Sequence, residues 1–150
     1  MYDIYDVADY YLNIRPMTPK KLQKIVYYAY AWFLTLMNED VNDLSNRLFD
    51  DRPQAWVHGP VFKNLYDKYK SFGYQEIDKF DEPKEFSDDV KSILDEVLEV
   101  YGDYNANELE SITHQESPWQ NARKNCSAYE PCINEISDSD IFECYSSRLV

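Results

Sequence analysis

Residues 18–37 read TPKKLQKIVYYAYAWFLTLM. Leu22, Ile25, Val26, Ala29, Phe33, Leu36 and Met37 recur at helical spacing and form one apolar stripe. Tyr27, Tyr28, Tyr30 and Trp32 make the other faces apolar as well. A helix apolar nearly all round offers little to water, so it belongs at the centre of a domain. Thr18 suits an N-cap, and Pro19 suits the first helical position, where a missing N–H is no loss. The segment therefore predicts a core helix wrapped by others. The fold class that follows is mainly α: a compact helical bundle with a small β element.

Outward from this helix the chain supplies the wrapping. Ile4, Val7, Ala8, Tyr11 and Leu12 mark an amphipathic helix that Pro16 closes. Residues 38–58 are polar and irregular, with a short strand expected around 54–58. Gly59 and Pro60 are expected to open a third helix carrying Phe62, Leu65, Tyr66 and Tyr69, and to be followed by a turn or edge strand near 75–80. Ser87 caps a helix with the stripe Val90, Ile93, Leu94, Val97, Leu98 and Tyr101, ended by Gly102. Asn105 and Glu108 form a capping-box pattern, and Ser117-Pro118 begin another short helix. A last helix is expected from Ser137 through Ile141 and Tyr145.

The chain has 150 residues, 44% of them hydrophobic and 16% aromatic, which suits one domain with an ample core. The net charge of −13 is unevenly placed. Residues 1–75 carry nine Lys/Arg and nine Asp/Glu, whereas residues 76–150 carry six and nineteen. An acidic surface repels phosphate, so no direct nucleic-acid binding is expected; it would attract a basic protein partner, although composition alone favours a solvated face that serves solubility. The longest uncharged apolar run, residues 25–37, falls short of the roughly 18 residues of a membrane span, and no export signal is legible. No membrane association is expected. Three cysteines, Cys126, Cys132 and Cys144, fit a reducing compartment, and the chain reads as cytoplasmic. Homo-oligomer formation is left open.

Catalytic signatures are missing: there is no Gly-rich phosphate loop, no nucleophile elbow and no paired-histidine metal motif. No cofactor, metal ligand set or catalytic residue is assigned. The cysteine spacing lacks the close pair of a structural zinc site. The alternative is a small hydrolase or metal-dependent enzyme that brings His58, His114 and Glu116 together, or an adaptor that delivers a partner protein to a protease. The fourteen tyrosines exceed what a small core encloses and mildly favour a binding face.

Three segments carry a resemblance: KLQKIVYYAYAWFLTL, then LFDDRPQAWVHGPVFKNLYDKYK, then ELESITHQESPWQNAR. In this order they resemble the Panacea domain, also described as the SocA-like antitoxin or phage-associated GepA-like domain, over about residues 18–123. Residues 124–150 are an unmatched C-terminal extension of the single domain 1–150, and residues 137–150 are expected to be separable from the fold. The resemblance implies an antitoxin of a toxin–antitoxin system that neutralises a cognate toxin protein, a translation inhibitor in many relatives, by direct protein–protein contact and without catalysis. Its motif residues here are Trp56, His58, Gly59, Pro60, Val61, Thr113, His114, Glu116, Pro118 and Trp119. Gln54 stands where an acid is expected before Ala-Trp. Gly59, Pro60 and Pro118 read as structural, while for Trp56, His114 and Trp119 core and interface roles both stay open. Asp95, Glu96, Glu99, Asp103, Glu108 and Glu110 are the candidate acidic surface facing the partner.

Overall fold

Asp3 accepts the Tyr5 amide and caps α1 (Ile4–Ile14); Thr18 accepts the Lys21 amide and caps α2 (Pro19–Leu36). The computed structural model describes residues 1–149. In α2 every residue from 22 to 31 is buried, as an all-round apolar helix requires. Each large aliphatic side chain shielded in this way contributes about 1.5–3 kcal/mol.

A hairpin follows. Strands β1 (Gln54–Trp56) and β2 (Gly59–Val61) pair antiparallel, with Ala55 opposite Pro60 and Trp56 opposite Gly59. Gly59 and Pro60 thus do not open a helix. Gly59 has φ +109°, outside the helical region, and α3 (Lys63–Tyr69) starts only after Phe62. A single 3-10 turn at Lys70–Phe72 then ends at Gly73. Near 75–80, where a turn or edge strand is expected, there is no strand. Ile77 is buried and its amide bonds the Met17 carbonyl, but no second strand lies beside it to continue a ladder.

The second half is helical as its caps dictate. Ser87 accepts the Val90 amide at the head of α4 (Asp88–Tyr101). Asn105 and Glu108 form a complete capping box at α5 (Ala106–His114). Pro118 sits in the first turn of α6 (Ser117–Ala122), and Ser137 caps α7 (Asp138–Ser146). Among the described residues the architecture is mainly α, with the hairpin as its small β element. No described helix is long and apolar enough to cross a membrane.

The core is built around α2, which packs against α1, α3, α4, α5, α7 and β2. Its hydrophobic cluster runs from Ile4 to Tyr145. Tyr28 stacks on Tyr101 of α4 with centroids 3.9 Å apart and rings within 6° of parallel. The tail corrects a reading from sequence. Where a separable end is expected over 137–150, α7 instead packs into the core, with Ile141 and Tyr145 fully buried and the helix against α2. Seven tyrosines, Tyr11, Tyr27, Tyr28, Tyr30, Tyr69, Tyr101 and Tyr145, are core residues, while Tyr74 and Tyr129 are nearly fully exposed. The three cysteines are free; Cys132 is buried, and Cys126 and Cys144 are half-buried.

Candidate functional site

The motif residues meet where the hairpin lies against α2, α5 and α6. The turn residues Val57 and His58 carry the chain back on itself, which places Gly59 directly over the Lys24 side chain of α2. A Cβ on Gly59 would lie 2.7 Å from Lys24 Cε and 3.0 Å from Thr113 Oγ1, so only glycine allows this approach. Lys24 is 1% exposed, and its ammonium donates to the Pro60 carbonyl at 3.2 Å. Gln23 secures the next residue: its side chain accepts the Phe62 amide at 2.9 Å and donates to the Phe62 carbonyl at 3.1 Å. Pro60 and Val61 are buried beneath this contact.

From the other side, Trp119 of α6 donates its indole N–H to the Trp56 carbonyl at 2.8 Å and stacks on His114, with centroids 4.0 Å apart. Arg123 is buried and donates to the carbonyls of Ala55, Ser127 and Glu130 at 2.8, 3.0 and 2.6 Å. It ties β1 to the loop that follows α6. Trp56 is half-buried, packs edge-on to Tyr66 and donates to Gln54, so Gln54 uses its amide oxygen on this indole. Thr113 is buried and donates to the Glu110 carbonyl; Pro118 is buried in the same corner.

Glu116 has a different task. It is 7% exposed and accepts from Tyr28 at 2.7 Å, from Tyr145 at 2.9 Å and from Arg148 at 2.7 Å. Burial, reinforced by the Glu116 carboxylate, raises the phenol pKa of both tyrosines, so both remain donors. One carboxylate thereby bolts α2, α6 and α7 together.

Beside the corner lies an open groove of about 610 Å³, whose walls include His58, Glu110, His114, Trp119 and Tyr129. His58 is exposed and sits 3.0 Å from Glu110, which also pairs with Lys20 at 2.6 Å. Burial pushes the Glu110 carboxyl upward, but Lys20 and the histidines outweigh it and hold it below the usual glutamate range. Burial lowers the His114 pKa, and its Nε2 is enclosed without a partner. Glu116 does not line this groove, so His58, His114 and Glu116 do not converge on one point. Among the described residues no three His, Cys, Asp or Glu side chains are grouped to hold a metal ion.

A family model described as Antitoxin SocA-like, Panacea domain matches residues 22–120. The chain belongs to this antitoxin family. No match is found among curated proteins or among solved structures. The Panacea segment contains the hairpin and the α5–α6 corner but ends before Arg123, α7 and Arg148. The acidic side chains of this Panacea protein differ in how they are engaged. Asp95 accepts from Tyr10, Asp103 pairs with Arg15 at 3.1 Å, Glu108 closes the capping box and Glu110 pairs with Lys20. Glu96 and Glu99 are exposed and have no such partner among the described residues.

Three residues important to this corner escaped the sequence reading: Lys24, Arg123 and Arg148. A signal existed for Lys24, since a base inside a helix apolar on all sides has no route to water. Burial, aided by repulsion from Lys20 and opposed by Glu110, lowers its pKa to about 7 from an ordinary value near 10.5. The unfolded chain therefore holds this proton up to higher pH than the folded chain does. This group's contribution to stability accordingly rises with pH between about 7 and 10, by at most about 1.4 kcal/mol per pH unit. Lys24→Met is expected to abolish that rise, read as urea midpoints at pH 7, 8 and 9 against the parent. Parallel pH profiles for the two proteins would refute the assignment.

Proposed function

We propose that this chain neutralises a cognate toxin by direct, stoichiometric protein contact in the cytoplasm, acting as one domain over residues 1–150. Membership of the SocA-like antitoxin family is the observation that carries this reading. A toxin that inhibits translation is the class proposed. The geometry supports a non-enzymatic role. The motif residues with the strongest chemistry are committed internally: Glu116 to two phenols and a guanidinium, Trp119 to the hairpin carbonyl and His114 to the Trp119 ring. Exposed acids, concentrated in the second half, supply long-range attraction for a basic partner and repel phosphate, so the partner is a protein rather than a nucleic acid.

The test is rescue. Cells making the toxic product of the adjacent gene should grow when this chain is co-expressed, and the two proteins should co-purify at a fixed ratio. Failure to rescue, with both proteins made and folded, would overturn the antitoxin reading. Loss of the toxin itself in rescued cells, reversed by protease inactivation, would replace stoichiometric neutralisation with delivery to a protease.

A further inference from the structure

We propose that the groove between α2 and α4 is the docking site for a basic amphipathic helix of the partner; this rests on the antitoxin reading. The groove has a volume of about 240 Å³ and is lined by Trp32, Leu36, Ile93, Val97, Val100 and Leu149. Leu36, Val100 and Leu149 are 44%, 62% and 51% exposed, so three aliphatic groups of the groove face water. Ile93, Val97 and Val100 are spaced i, i+4, i+7, two turns or about 10 Å of helix. A valley between two helices accepts the ridge of a third, which offers apolar side chains at the same spacing.

Charge selects the occupant. Glu96 forms part of the groove wall, and Glu99 lies one turn further along α4. The two are i, i+3 neighbours on one side of the line Ile93, Val97 and Val100. The one base of α4, Lys91, lies about 160° around the helix from Ile93 and cannot neutralise them. A second copy of this chain would bring like charge against like charge. A helix with a leucine-type ridge and Lys or Arg along one flank satisfies both the valley and its rim.

The probe is a synthetic Leu/Lys amphipathic helical peptide, with its Leu/Glu counterpart as control. The readout is the indole N–H resonance of Trp32, which donates to Tyr101 at the groove floor, in the ¹⁵N-labelled full chain. The Leu/Lys peptide should shift this resonance, and the Leu/Glu peptide should not. Val100→Asp and Leu149→Asp, both at exposed positions and checked by circular dichroism, should weaken binding by about tenfold or more. Both variants add negative charge, so adhesion through charge alone predicts unchanged or tighter binding, and that result would overturn the groove assignment. In cells, Val100→Asp should lose rescue. Full rescue by Val100→Asp removes the groove as the toxin's seat and leaves the antitoxin reading intact. Failure of the parent chain to rescue, with peptide binding preserved, removes the antitoxin reading and leaves the groove a docking site for a basic helix.

Discussion

A chain ending at Ile136 should fail to fold. Its circular dichroism should show no cooperative thermal transition under conditions where residues 1–150 melt sharply. The reason is that α7 closes the bundle over α2. Ile141 and Tyr145 are fully buried, and the Tyr145 ring packs against Tyr28 and Trp32 at centroid distances of 6.2 and 5.3 Å. Its hydroxyl donates to Glu116, Asp138 accepts from Tyr30 and Arg52 at 2.6 Å each, and Arg148 donates to Glu116. Truncating one buried isoleucine or leucine costs about 2–5 kcal/mol and one buried aromatic about 3–5 kcal/mol. Removing both, leaving Tyr30 without its acceptor Asp138 and uncovering Tyr28, approaches the whole stability of a domain, about 5–15 kcal/mol. Point variants separate packing from hydrogen bonding. Tyr145→Ala should cost about 3–5 kcal/mol, and Tyr145→Phe about 1 kcal/mol, since the ring stays and one bond goes. A truncated protein that melts cooperatively within a few degrees of the parent would show that α7 is an accessory.

Gly59→Ala should destabilise the protein by about 2–6 kcal/mol in urea unfolding, combining roughly 1–3 kcal/mol of backbone strain with a similar overpacking penalty. At φ +109° an L-residue is strained whatever space surrounds it. Here there is also no space, with Lys24 Cε and Thr113 Oγ1 at 2.7 and 3.0 Å from the new methyl group. Lys24 cannot swing away, because it is enclosed on all sides and holds the Pro60 carbonyl. Measured in a Lys24→Ala background, Gly59→Ala should therefore cost less than in the parent, because the Lys24 clash is gone while the strain and the Thr113 contact remain. A single variant within about 0.5 kcal/mol of the parent, the usual range of surface substitutions, would mean that the hairpin is free to move off α2.

The two positions differ in how far they could be read ahead of the structure. Gly59 belongs to a recognisable block, A-W-x-x-G-P, whose Ala-Trp part is expected as a strand; Gly-Pro before Phe62, Leu65 and Tyr66 carries the local signals of a helix start and of a second strand alike. What decides for a hairpin is pairing with residues 54–56 and support from Lys24 and Arg123, neither of which has a local signature. The site behaved similarly. Trp56, Gly59, Thr113, His114 and Trp119 were selected by motif, and the fold brings them to one corner. Glu116 was selected too, but its carboxylate turns away from the histidines to Tyr28, Tyr145 and Arg148.

By itself the amino-acid sequence determined that α2 is central, because a segment apolar on every face has no stable place except under other helices. It determined the helix starts at Thr18, Ser87, Asn105 and Ser137, because capping is chemistry between residues two or three apart. It also determined family membership and the placement of the acidic excess. Only the tertiary structure decided that α7 belongs to the core, that the Gly-Pro block is a strand, and that a groove opens beside Glu96. Each depends on groups far apart in the chain, such as Tyr28 with Glu116 or Trp32 with Leu149, and contact between distant groups is set by packing geometry rather than by local periodicity.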